Sequence, residues 1–148
     1  MALADRLQED LHRALRAGDT LRVSTIRLAR AAVHNAEIER GRPLTDPEVE
    51  EIIGREMKRR REAIDAYSKA AREDLARKES LELAILAEYL PPPLTEADVR
   101  AAIREVVSQL GARGPQDMGR VMGAVMPRVK GRVDGGLVNR LVREALGA

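Results

Sequence analysis

Cysteine, phenylalanine and tryptophan are all missing from the 148 residues. Without cysteine there are no disulfides, thiolate metal sites or thiol nucleophiles, and the composition suits a reducing compartment. Tyr67 and Tyr89 are the only aromatics, so the core must be aliphatic, and single-strand binding by base stacking lacks its platforms. No run approaches the roughly eighteen apolar residues of a membrane helix. Asp5, Glu9 and Asp10 stand where a secretory signal needs an uncharged stretch. No membrane partner is expected, and a cytoplasmic location follows. The period-two alternation of strands is absent too, which predicts an all-α fold.

The usual catalytic kits are also missing. His12 and His34 stand alone, without a ligand spacing such as His-Glu-x-x-His. There is no Gly-x-Ser-x-Gly elbow, and Gly131 to Gly136 lacks the Lys-Ser/Thr of a Walker loop. Glu37 with Glu39, and Glu48 with Glu50 and Glu51, pair carboxylates on paper. On helices in so charged a chain they read as solvated ion-pair partners. No catalytic residue, metal or cofactor is expected. Arginine outnumbers lysine twenty-two to four, a mix that fits heat tolerance and a GC-rich genome equally.

What is present is helical periodicity. Leu3, Leu7, Leu11, Ala14 and Leu15 make one apolar face between Ala2 and Ala17, closed by Gly18. Asp19 or Thr20 caps a second helix that runs to about Arg40, with Val23, Ile26, Ala29, Val33 and Ala36 inward. Thr45-Asp46-Pro47-Glu48 is a capping box with proline in the first turn, and Val49, Ile52, Ile53, Met57, Ile64 and Tyr67 carry the stripe to about Ala71. A fourth helix, or a continuation of the third, uses Leu75, Leu83, Leu86 and Leu90. The run Lys58-Arg59-Arg60-Arg61 spreads right round its helix and predicts a solvated surface, relieved by Glu56 and Asp65, ahead of an RNA-phosphate contact.

Pro91-Pro92-Pro93 cannot lie inside a helix and marks a boundary. The expected organisation is an N-terminal helical bundle over 1–90, a linker over 91–94 and a small three-helix domain over 95–148. Thr95-Glu96-Ala97-Asp98 restarts helix, Val99, Ile103, Val106, Val107 and Leu110 form its stripe, and Gly111 stops it.

Beyond Gly111, apolar spacing, glycine placement and charge change character together. Met118, Val121, Met122, Val125, Met126 and Val129 follow at steps of three and four, with Gly119 and Gly123 four apart on a neighbouring face. Two missing side chains one turn apart cost helix propensity, so they imply another backbone or a ligand passing close. Pro127 predicts a kink or an end near Met126. The chain turns at Lys130-Gly131-Arg132, and Asp134 caps a last helix whose stripe is Val138, Leu141, Val142 and Ala145. From Arg113 to Arg143 seven cations (Arg113, Arg120, Arg128, Lys130, Arg132, Arg140, Arg143) face two acids, Asp117 and Asp134, a net of +5, while the rest of the chain nets −3. Backbone amides at the start of the last helix, beside Gly135 and Gly136 and near Lys130 and Arg132, suit a phosphate.

These segments resemble the GatB/YqeY family over essentially the whole length. The resemblance rests on Ser24-Thr25-Ile26-Arg27, Lys58-Arg59-Arg60-Arg61-Glu62-Ala63 and Glu88-Tyr89-Leu90-Pro91. Its most specific part is Met118-Gly119 with Val121-Met122-Gly123, then Lys130-Gly131-Arg132-Val133-Asp134, then Leu137-Val138-Asn139-Arg140-Leu141. That last portion is similar to the GatB tail domain of the tRNA-dependent Asp/Glu amidotransferase. The resemblance implies a helical bundle followed by a three-helix domain, the part that recognises folded tRNA in the amidotransferase. The amidotransferase's large catalytic domain has no counterpart here, so carbon–nitrogen ligase activity with glutamine as amide donor is not expected of this chain alone.

The expectation is therefore a non-catalytic protein that binds structured RNA, tRNA foremost, by shape and phosphates. Arg120, Arg128, Lys130, Arg132 and Arg140 supply charge, and Gly119, Gly123 and Gly131 allow close approach. The alternatives are an accessory of an amidotransferase or of other translation proteins, and a protein-interaction module. In the latter Met118, Met122 and Met126 receive a partner helix, unless that stripe fills the domain's own core.

Overall fold

Local capping explains most helix ends. In the computed structural model, which describes residues 1–147, the helices are α1 (Leu3–Ala17), α2 (Thr20–Arg40), α3 (Asp46–Lys69), α4 (Glu73–Ala87), α5 (Glu96–Leu110), α6 (Met118–Val129) and α7 (Gly135–Leu146). A single 3-10 turn, Pro115–Asp117, precedes α6, and there is no strand among the described residues, so the fold is all-α. Gly18 and Gly41 close α1 and α2 in the left-handed region, each at φ 69°. The Asp19 carboxylate accepts from the Arg22 amide at 3.1 Å. Thr45 and Glu48 form a reciprocal capping box on α3, and Thr95 and Asp98 form another on α5.

The chain divides into two compact units, Met1–Pro91 and Pro92–Ala148. The first buries Leu7, Ile26, Val49, Ile53 and Leu86 with their neighbours in an aliphatic core. Tyr89, its one buried aromatic, donates from its hydroxyl to Asp10 at 2.5 Å. The Arg6 guanidinium lies 4.7 Å over the Tyr89 ring and also donates to the Glu88 carbonyl at 3.1 Å. Burial, then the bond to Asp10 and the Asp10 charge, push the phenol well above its usual range.

The fourth helix is separate, not a continuation of the third: the third ends at Lys69, and Ala71 takes φ 57°, the one non-glycine residue with positive φ among those described. This left-handed step reverses the chain so that α4 packs back along α3, at a cost of about 1–2 kcal/mol for a residue with a Cβ. The expectation of a wholly solvated basic run needs correction. Lys58, Arg59 and Arg61 are exposed, but Arg60 is only 6% exposed. At 100° per residue one of four consecutive positions must turn inward, and Arg60 follows Ile53 and Met57 along the buried row. Its guanidinium sits between Glu56, at 3.2 Å, and Glu82 of α4, at 3.3 Å. The Nε contact with Glu82 lies off hydrogen-bond geometry, which makes it an ion pair without a directed bond.

The second unit packs α5, α6 and α7 around Val99, Ile103, Val121, Val125, Val138, Leu141 and their neighbours. Val129, at the end of α6, is also buried in this core. The segment entering α5 is tied to the turn after α6: the Leu94 amide donates to the Arg132 carbonyl at 2.8 Å.

Candidate functional site

The apolar row of α6 is divided between full and partial burial. Val121, Val125 and Val129 are fully buried, while Met118, Met122 and Met126 are half-buried and pack against the same core. The methionines therefore pack on their own unit's core while keeping part of their surface exposed. Of the kink or end expected near Met126, the end does not occur: the helix continues to Val129, and the Lys130 amide bonds the Met126 carbonyl at 2.8 Å. Pro127 withholds a donor only from the Gly123 carbonyl. Gly123 and Pro127 both lie on the exposed side, where water can replace that one bond.

That exposed side is nearly free of side chains. Gly119, Gly123 and Pro127 follow at steps of four, and a Cβ built at Gly119 or Gly123 would meet no other atom within 4 Å. Beyond the helix's own backbone, nothing among the described residues occupies the space these two glycines leave. Gly131 is different: its φ of +79° makes the turn between α6 and α7, and an L side chain there is strained.

At the start of α7, Asp134 holds the capping position, and its carbonyl accepts from the Val138 amide at 3.2 Å. Its carboxylate makes no capping hydrogen bond, so the first-turn amides at Gly135 and Gly136 have no side-chain partner. These amides are open donors, and the Asp134 carboxylate beside them, 3.1 Å from where a Cβ on Gly136 would stand, offsets part of the positive charge of the helix start.

The cations fall into three groups. Arg113, Lys130, Arg140 and Arg143 are exposed, and among the described residues no carboxylate lies within 4 Å of them. Arg120 and Arg128 are exposed but paired. Arg120 contacts Asp117 at 3.0 Å and donates to the Leu110 carbonyl at 3.1 Å, while Arg128 pairs closely with Glu105. The Arg113 amide first, then Arg120, holds the Asp117 carboxyl below its ordinary value. Arg132 is half-buried and turned to the Pro92 carbonyl at 3.4 Å, with its Nε unpartnered. Glu105 as a neutralising partner could not be read from sequence, since it lies 23 positions away on another helix. Among the described residues no group of three or more His, Cys, Asp or Glu is placed to hold a metal.

Comparison with known proteins gives a consistent result. Residues 4–146 match the family model described as Yqey-like protein. A Pyrenophora tritici-repentis protein named "Altered inheritance of mitochondria protein 41, mitochondrial" is 33% identical over 97% of this chain and 80% of its own length. The protein of the same name from Eremothecium gossypii is 36% identical over 65% of this chain, a match that spans about half, 54%, of that relative. The one from Lachancea thermotolerans is 30% identical over 74% of this chain and 60% of its own length. These names overturn the cytoplasmic expectation, because the relatives are mitochondrial. The lack of an apolar run argues only against a secretory signal, whereas mitochondrial leaders are amphipathic and Arg-rich.

Proposed function

From the premise that the chain belongs to the Yqey-like protein family, we propose that it is a non-catalytic binder of structured RNA, tRNA foremost, acting through α6, the turn after it and the start of α7. The observation that carries this reading is that free cations and unfilled helix glycines occur together in the α6–α7 pair. Lys130, Arg140 and Arg143 have no carboxylate within reach among the described residues, and they share the helix pair that carries Gly119 and Gly123. A glycine inside a helix costs about 0.5–1 kcal/mol against alanine. Nothing among the described residues recovers that loss, so the benefit belongs to a molecule that lies against the helix backbone.

Free cations beside open amides suit phosphate, and a smooth helix face suits a ribose–phosphate backbone. With no aromatic side chain in the second unit, recognition rests on shape and charge, and affinity falls as salt rises. Lys130 and Arg140 lead. Arg120 and Arg128 contribute after leaving Asp117 and Glu105, and Arg132 positions the turn. The choice of tRNA as the RNA class rests on the resemblance read in the sequence of Lys130 to Leu141 to an amidotransferase tail.

Amide NMR of the full chain with added tRNA tests the reading. Shifts should gather at Gly119, Gly123, Lys130 to Gly136 and Arg140. Shifts confined to 1–91, or none at saturating tRNA, would sink it.

A further inference from the structure

A second surface lies in the first unit, on the outer face of the α1–α2 pair. Leaving aside Met1, four large apolar residues are exposed in the described chain, and three belong to these two helices: Leu15 at 47%, Leu28 at 56% and Ile38 at 67%. Leu28, Ala31, Asn35 and Ile38 follow at steps of three, four and three, so they share one face of α2. That face is opposite the one α2 buries through Ile26, Ala29, Val33 and Ala36. A helix apolar on both sides has one side still to cover.

Alongside runs a groove of about 400 Å³ between the helices, floored by Ala4, Leu7, Ala31 and Val33. Its α2 edge carries Arg27, Arg30 and His34, and among the described residues none of the three has a carboxylate within 4 Å or a side-chain hydrogen bond. Two carboxylates also line the groove. Asp5 and Glu37 balance the two arginines over the groove as a whole, Glu37 also accepting from the Leu44 amide at 3.0 Å, so the positive charge is local to the Arg27–Arg30 end of the α2 edge.

We propose that this groove and the adjoining α2 face bind an acidic amphipathic helix of a partner protein. The observations select that occupant. Concavity between two helices fits a third helix laid along it, and a bilayer would instead call for a protruding apolar surface. Aliphatic Leu28 and Ile38 give RNA nothing to stack on, but they match leucines at i, i+3 and i+7 of a partner helix. Unpaired Arg27 and Arg30 meet carboxylates on the partner's flank, and exposed Ala31 lets the helices approach closely. The surface belongs to the first unit, whereas the residues assigned to RNA belong to the second.

The test places a photoreactive benzoylphenylalanine at exposed position 38 of the full chain, cross-links it in extract of the source organism, and sequences the attached peptide. The expected adduct is a single protein segment of helical, acidic and amphipathic pattern. Arg27→Glu with Arg30→Glu should lower its yield by about tenfold or more, while helicity and tRNA binding stay unchanged. Attachment to RNA, to lipid or to this chain itself would overturn the proposal. So would adducts without an acidic amphipathic segment, no adduct at all, or a yield indifferent to the two charge reversals. Loss of tRNA binding in Lys130→Glu leaves this result untouched, so the two readings fail separately.

Discussion

Arg60 carries more of the first unit's stability than any other charge in its run. Its guanidinium lies between Glu56 and Glu82 with almost no water, so Arg60→Ala leaves two carboxylates facing each other across the α3–α4 contact. We expect a loss of about 3–5 kcal/mol in urea unfolding followed by circular dichroism. Arg59→Ala, on an exposed pair, should change stability by less than about 0.5 kcal/mol. Equal effects would contradict this account. The sequence did contain the signal: Ile53, Met57, Arg60 and Ile64 continue one row at steps of four, three and four. A run of identical charges hides which member faces inward, and only that row separates Arg60 from Arg61.

Tyr89 gives a residue-scale pH prediction. Its folded pKa is raised, so between the ordinary tyrosine value of about 10 and the higher folded value the unfolded chain loses the phenolic proton and the native chain keeps it. The stability from this group is complete below about pH 10 and falls as pH rises beyond it. Tyr89→Phe should flatten that alkaline decline in denaturant midpoints measured from pH 8 to 11; an unchanged decline would contradict the assignment.

At the scale of elements, helix starts and stops were legible because capping is local. Thr45, Asp19, Thr95, Gly18, Gly41 and Gly111 all act where the chain spells them. The α3–α4 break was legible only as one of two readings, because it depends on alanine in a conformation that favours glycine, imposed by packing of the two helices. Ala71→Gly should therefore stabilise the hairpin by about 1 kcal/mol, read as a higher Tm. The glycines of α6 and its turn give the complementary contrast. Gly119→Ala and Gly123→Ala enter open space on a regular helix and should each add about 0.5–1 kcal/mol, whereas Gly131→Ala at φ +79° should lower stability. Thermal melts of the three variants separate these cases. Two stabilising substitutions on an exposed surface indicate that the native glycines serve something other than folding.

At the scale of the whole molecule the charge is unevenly shared. Residues 92–148 hold nine basic and six acidic side chains, a net of +3, against −1 for residues 1–91. The positive stretch was readable directly from sequence. Its pairing was not, since Glu105 reaches Arg128 only through the packing of α5 against α6. The family match spans residues 4–146 and both units, while the proposed RNA contact rests on the surface chemistry of the second unit. The most direct measurement is a fluorescence titration of bulk tRNA at two salt concentrations, comparing the intact chain with Lys130→Glu/Arg140→Glu. The account predicts binding that weakens with salt, and a still-folded double variant with lower affinity and a log–log salt slope smaller by about two, one per lost phosphate contact. Equal affinity and slope in both chains, or no binding by the intact chain, would contradict it.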